Sequence, residues 1–444
     1  MLLGIITLAK SRNITLSLGL FLITMLVLSC LSTSVFNLHI QALAQQYIPT
    51  IKYRNLMIDL GNGIKTNAQI TYPVVGKGPF PGVLLVPGAG LTDMNYSGDY
   101  IRIDNKTGSK IYPPAIFFQI AQYLSERGFA VLRYDKRGVG ANLTVADSNV
   151  WKNMTYNDLV QDAHKALNVL IHQPEVNPNK ISILGHSEGG ETVTRIAIDN
   201  PATAKIKNIV LLDARIQKAR NVMHYLFVDL PLEYAKEILD KNHNGSISLQ
   251  EASRDKIFQG IVGGNISSLL STNSNSNITK PLKPEYSPNN DINININSEL
   301  KSIPEKRSED MLKAFRCEVP SPCPTYLRSL LNLNSTLDII GNVPSSTGIL
   351  MLHGQNDSGS PVQQAFLLQQ RLTELNHPDH TLITYPNLGH TLYPSSQWQT
   401  SSGPIPSYVL ADLYAWLESH SGFTSHTTAA AHVTSISSSN STAK

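Results

Sequence analysis

Ser187 lies in Gly185-His186-Ser187-Glu188-Gly189, directly after the apolar run Ile181-Ser182-Ile183-Leu184 and ahead of a helical stretch. A serine in so tight a strand-to-helix turn is a nucleophile for acyl transfer, and the flanking glycines let neighbouring chain pass close to it. The turn also aims a helix N-terminus and the Glu188 N–H at a reacting carbonyl. The hydroxyl needs a base, and the base needs an orienting acid. His390, in Pro386-Asn387-Leu388-Gly389-His390, is the expected base, and Asp357, in His353-Gly354-Gln355-Asn356-Asp357, the expected acid. Both follow the carboxyl end of an apolar strand, where open parallel sheets place their sites. Asp213, at the end of an earlier strand, is the rival acid, and Asp135 reads as a turn residue. An oxyanion needs a second N–H from the loop after an early strand. Gly88-Ala89-Gly90 supplies that loop, with the Ala89 N–H as the expected donor and Gly90 as the fallback.

A second chemistry is written at 240–251. Asp240-Lys241-Asn242-His243-Asn244-Gly245-Ser246-Ile247-Ser248-Leu249-Gln250-Glu251 fits the EF-hand calcium loop at every position. Asp240, Asn242 and Asn244 offer side-chain oxygens, and Gly245 permits the sharp turn. Ser246 offers its carbonyl, Ser248 stands at the position often bridged by water, and Glu251 can bind through both oxygens. With two charged ligands the expected affinity is weak, about 10⁻⁴ to 10⁻³ M. No second loop is read beside it, so the expected role of Ca2+ is to clamp structure. No organic cofactor is expected.

The elements that position these residues alternate. A hairpin is expected from Asn55–Leu60 and Thr66–Tyr72 around Gly61-Asn62-Gly63. Buried strands are expected at Gly82–Val86, Phe129–Tyr134, Lys180–Leu184, Ile209–Leu212, Gly348–Leu352 and Thr381–Tyr385. Helices are expected over Ala115–Arg127, Tyr156–Gln173 and from about Glu191. That alternation means an α/β fold with a mostly parallel sheet and helices on both faces. It breaks at 214–346, an insertion read as a cap, whose polar stretch Ser271–Asn297 reads as a loop. The core is then 45–213 with 347–420, and 421–444 reads as a disordered tail.

The runs Leu85-Val86-Pro87-Gly88-Ala89-Gly90-Leu91-Thr92-Asp93, Arg133-Tyr134-Asp135-Lys136-Arg137-Gly138-Val139-Gly140 and Gly185-His186-Ser187-Glu188-Gly189-Gly190 resemble a bacterial and archaeal esterase branch of the α/β-hydrolase superfamily. In that branch the first motif usually begins with His-Gly, and Pro87 stands here in place of the His. The resemblance covers roughly 53–420 apart from most of the insertion. It implies the chain order Ser187, Asp357, His390 and hydrolysis of carboxylic esters through an acyl-enzyme. The superfamily also hosts peptidases, lipases and thioesterases.

Composition narrows the class. Hydrophobic residues make up 41% and charged residues 16%, with a net charge of +3. This is too apolar for wholesale disorder and too polar for a polytopic membrane protein, and no basic stripe marks nucleic acid as a partner. Lys10 and Arg12 precede an apolar run to Leu31, so 1–44 reads as a cleaved signal ending near Ala42-Leu43-Ala44, a retained membrane anchor, or a lipoprotein leader with Cys30 in a loose lipobox. Each places the rest of the chain outside the cytoplasm, secreted or anchored at the outer face. Cys317 and Cys323 would form a small disulfide loop there, contributing roughly 2–2.5 kcal/mol in the chain-entropy model. Frequent Asn-x-Ser/Thr sequons, among them Asn95, Asn153 and Asn334, are compatible with export. The expected function is an exported serine carboxylesterase acting on a small ester. The alternatives are an aminopeptidase-like serine peptidase on the same triad and a non-catalytic, calcium-dependent surface binding module.

Overall fold

The computed structural model describes residues 50–97, 102–103, 110–111, 115–199, 206–262, 266, 293–315, 325–395 and 403–422. The segment 1–44 read as a signal or anchor, the residues Cys317 and Cys323 read as a disulfide, and the stretch beyond Gly422 read as a tail lie outside the described residues. Among the described residues no helix is long and apolar enough to cross a membrane.

Eight strands form one sheet. β1 (Ile51–Gly61) and β2 (Ile64–Pro73) make the antiparallel hairpin. Gly61, Asn62 and Gly63 all take positive φ in its turn, a conformation that Gly and Asn adopt at little cost. There follow β3 (Phe80–Val86), helix α1 (Ile116–Ser125), β4 (Ala130–Tyr134), α2 (Tyr156–Ile171), β5 (Val176–His186), α3 (Glu188–Asp199) and β6 (Ile206–Leu212). After the insertion come β7 (Gly348–Gly354), α4 (Gln363–Glu374), β8 (His380–Tyr385) and α5 (Ser407–His420). The order across the sheet is β1-β2-β4-β3-β5-β6-β7-β8. β2 meets β4 antiparallel, and every later pairing is parallel.

The strands β3, β4 and β7 are buried along their whole length because both faces are covered. Val83 and Leu85 enter one core with α1 and α5, whereas Leu84 and Val86 enter the other with α2 and α3. Val210 and Leu212 part from Ile209 and Leu211 in the same way, as do Leu350 and Leu352 from Ile349 and Met351. Each such side chain contributes about 1.5–3 kcal/mol by leaving water, so a one-residue slip would be severely penalised. α2 starts on a capping box between Thr155 and Asp158 and buries Leu159, Ala163, Leu167 and Leu170. α3 begins at Glu188, three residues ahead of the expected start, because the turn at Ser187 feeds it directly.

The insertion holds a helical run over 219–239, short helices at Leu249–Arg254, Lys256–Val262 and Thr325–Leu331, and the longer helix Lys301–Phe315. It has a core of its own, in which Leu239, Ile247, Phe258, Ile294, Ile296 and Leu300 are buried together. Part of the polar stretch expected as loop is ordered: Asn293–Asn295 pairs antiparallel with Ser246–Ser248. Burial of Ile294 opposite Ile247 outweighs the poor strand propensity of the flanking asparagines.

Candidate active site

β5 delivers Ser187 with φ +54, a left-handed conformation rare for a residue with a side chain. Small neighbours make the turn passable. A β-carbon on Gly185 would fall 2.1 Å from the Gly189 carbonyl oxygen, and one on Gly189 would fall 2.3 Å from that of Val86. The Ser187 N–H donates to the Leu212 carbonyl of β6 at 2.9 Å, which ties this turn to the sheet.

The structure brings Ser187, His390 and Asp357 together from 203 and 33 residues of separation. His390 Nε2 is 3.1 Å from Ser187 Oγ, and His390 Nδ1 is 2.8 Å from Asp357 Oδ2. The other Asp357 oxygen accepts the backbone N–H groups of Gly359 and Ser360 at 2.7 and 2.8 Å, which fixes the carboxylate plane. Burial pushes the Asp357 carboxyl up, but the charge of His390 and hydrogen bonds from His353 and His390 outweigh it and hold the group well below the ordinary range. The rival acid Asp213 sits beside this pair rather than against His390. It accepts the Gly354 N–H at 2.8 Å. Burial first and the Asp357 charge second push its pKa well above the ordinary value, a direction that favours the neutral acid.

The sequence of the sheet, the strained serine at the end of its fifth strand, and the acid and histidine after β7 and β8 decide the architecture. The chain has the α/β-hydrolase fold. Residues 115–258 match the sequence model of the serine aminopeptidase, S33 family, and residues 319–424 match that of the prolyl oligopeptidase family. It is 34% identical over 129 residues to esterase EstD of Thermotoga maritima, an alignment covering 29% of this chain and 26% of that protein. The chain thus spans about a quarter of that curated relative. Among solved structures it resembles the α/β hydrolase GrgF from a Penicillium species, with 16% identity, 84% of this chain and all of that one covered, and TM-score 0.44. It also resembles a puromycin-hydrolysing peptidase of Mycobacterium tuberculosis, with 15% identity, 86% of this chain and 41% of that one covered, and TM-score 0.45.

The loop after β3 runs against Ser187. A β-carbon on Gly88 would lie 2.8 Å from the His186 carbonyl oxygen and 3.1 Å from Ser187 Cβ. Ala89 follows and is exposed, and Glu188 opens α3 directly after Ser187. The buried Lys136 ammonium donates to the carbonyls of Gly88 and Gly90, the latter at 3.2 Å. In a trans peptide the carbonyl and the next N–H point in opposite directions, so the Lys136 bond to Gly88 turns the Ala89 N–H away from Lys136. Asp135 is no simple turn residue, contrary to its sequence reading. It is buried, and its carboxylate accepts from the Met94 N–H at 2.6 Å and the Asn67 amide at 3.2 Å. Asp135 and Lys136 together hold both ends of this loop. Arg137 is taken up by Asp162 at 2.6 Å.

Two further groups escaped the sequence reading. His186 Nε2 donates to the His390 carbonyl at 2.6 Å, and His186 Nδ1 accepts from Tyr96 Oη at 2.8 Å. A carbonyl only accepts, which sets that tautomer. Burial pushes the His186 pKa down to about 3, so it braces the His390 backbone as a neutral ring. The Glu188 carboxylate is buried, accepts from Arg215 at 3.1 Å and also accepts from the Tyr326 hydroxyl. Tyr326 belongs to the insertion, so the insertion is bonded to the residue beside Ser187. Nothing in either motif marks these partners, which are distant in sequence.

A cavity of about 1030 Å³ opens between the cap run 219–239 and the acid loop. Tyr225, Asp229, Glu233 and Glu237 line one side, and Gln355, Asn356, Asp357 and Ser358 another. Of the triad only Asp357 is in its wall.

Proposed function

We propose that this α/β-hydrolase is an exported serine hydrolase that cleaves carboxylic esters through an acyl-enzyme. The carrying observation is the 3.1 Å approach of His390 Nε2 to Ser187 Oγ with Asp357 2.8 Å behind it. Ser187 Oγ attacks the acyl carbon while His390 Nε2 takes its proton. The oxyanion accepts the Ala89 and Glu188 N–H groups, an interaction type worth about 10²–10³ per donor in rate. Protonated His390 gives its proton to the leaving oxygen, and the C–O bond breaks. Water then repeats the sequence on the acyl-enzyme and frees Ser187. The partial identity to EstD supports the ester reading. Export is supported by the apolar leader, and cell fractionation tests it.

One observation favours a second reading, an aminopeptidase-like serine peptidase: both family matches are to peptidase families. The deciding experiment compares short-chain p-nitrophenyl esters with aminoacyl p-nitroanilides, beside Ser187→Ala. The expected result is ester turnover that falls about 10⁴-fold or more in Ser187→Ala. Anilide turnover exceeding ester turnover would select the peptidase. No turnover, with Ser187 also unlabelled by a fluorophosphonate, would leave the non-catalytic surface module.

A further inference from the structure

The segment 240–251 has no part in that reaction, yet its oxygens are organised for a ligand. Asp240 Oδ1 accepts the Asn244 N–H at 3.0 Å and Oδ2 accepts the Gly245 N–H at 2.8 Å. Asn242 Oδ1 accepts from the Asn244 N–H at 3.2 Å, and Asn244 Oδ1 accepts from the Ser246 N–H at 2.9 Å. Each of these oxygens spends one lone pair on the loop's own backbone and keeps another. Positive φ at His243 and Gly245 closes the turn. Ser248 Oγ caps the next helix at the Glu251 N–H, 3.2 Å away.

Two observations go beyond the motif. First, Asp240 is only 5% exposed, and among the described residues no Lys, Arg or His forms an ion pair with it. The backbone N–H groups of Asn244 and Gly245 solvate this carboxylate without neutralising it, and a bound cation would supply the counter-charge. Second, the pairing with Asn293–Asn295 orients a carbonyl. The Ile296 N–H donates to the Gly245 carbonyl at 2.9 Å, so 245 and 247 face the partner strand. In an antiparallel pair the intervening residues face away, which turns the Ser246 carbonyl off that strand as a seventh-position ligand requires. Glu251 is exposed and rests on Lys241 at 3.3 Å, a weak surface pair that leaves it free to swing.

We propose that 240–251 binds one Ca2+ through Asp240, Asn242, Asn244, the Ser246 carbonyl, Glu251 and a water held by Ser248, and that the ion fixes the cap wall of the cavity. The helical run that ends at Asp240 carries Tyr225, Asp229, Glu233 and Glu237 into that wall. Anchoring its C-terminal end steadies the surface that meets the acid loop. This inference stands apart from the hydrolase reading.

Calorimetry of calcium chloride into the full chain tests it. The expected result is one site with Kd of about 10⁻⁴–10⁻³ M. Asp240→Asn and Glu251→Gln should each weaken uptake at least tenfold, whereas Lys241→Ala should not. Glu251 is exposed, so Glu251→Gln leaves the fold intact, and fluorophosphonate labelling of Ser187 checks this independently. Calcium should raise the unfolding temperature of the wild type and leave that of Glu251→Gln unchanged. No heat at millimolar calcium, equal uptake of magnesium, or undiminished uptake in both variants would overturn the proposal.

Discussion

Asp213 and Asp357 are two buried carboxyls that the structure holds in opposite protonation tendencies, and isosteric replacement separates them. In Asp357 one oxygen accepts two backbone N–H groups, at Gly359 and Ser360. An asparagine there must keep its carbonyl oxygen toward those donors, so its NH₂ faces His390 Nδ1. That forces Nδ1 to accept, moves the ring proton to Nε2, and leaves His390 unable to take the Ser187 proton. The tautomer error in a comparable triad costs about 10⁴ in kcat, or about 5.5 kcal/mol of transition-state stabilisation. Asp213 is pushed the other way by burial and then by the Asp357 charge. Asp213→Asn preserves its acceptor for the Gly354 N–H. Its kcat should stay within about threefold. The linkage follows from the sign. A raised carboxyl pKa means that the native state binds more protons than the unfolded one above the ordinary carboxyl range. Wild-type stability then falls as pH rises through that window, while Asp213→Asn lacks the loss. The stability advantage of Asp213→Asn should therefore grow from pH 4 to pH 7. Steady-state ester hydrolysis and urea midpoints at both pH values measure this. Equal losses of kcat in the two variants, or an advantage that shrinks with pH, would refute the reasoning.

Lys136→Met removes the donor that holds Gly88 and Gly90, so kcat should fall about 10–100-fold with KM nearly unchanged, read from ester kinetics. Tyr326→Phe removes one of two hydrogen bonds to the buried Glu188 carboxylate. It should lower stability by about 1.5–3 kcal/mol in urea unfolding while Ser187 remains labelled by a fluorophosphonate.

Much of the sheet was legible because strands buried on both faces leave no polar residues to blur them, as Val83–Val86 shows. The meeting of Ser187, Asp357 and His390 could be expected because each follows a strand end. Asp135 and Lys136 could not be placed, because three successive charged residues look like a solvated turn and their partners lie between 41 and 68 residues back in the chain. His186 hid inside the motif that drew notice to Ser187. The Asn293–Asn295 strand did alternate, Asn-Ile-Asn-Ile-Asn, but asparagine disfavours strands and the surrounding Asn and Ser runs suggested a loop. Only the burial of Ile294 and Ile296, a tertiary fact, resolves it.

The cap's separate core also bears on how the sheet is assembled. β6 and β7 are neighbours, yet residues 213–347 intervene between them. A flexible crossover loses closure entropy in proportion to the logarithm of its length, about 0.6 kcal/mol for each doubling. Long-range parallel pairing of this kind is intrinsically slow for the same reason. An insert that collapses around Ile247, Phe258 and Ile294 behaves as a short rigid span instead of a long coil. The cap thereby shortens the search by which the second half of the sheet finds the first.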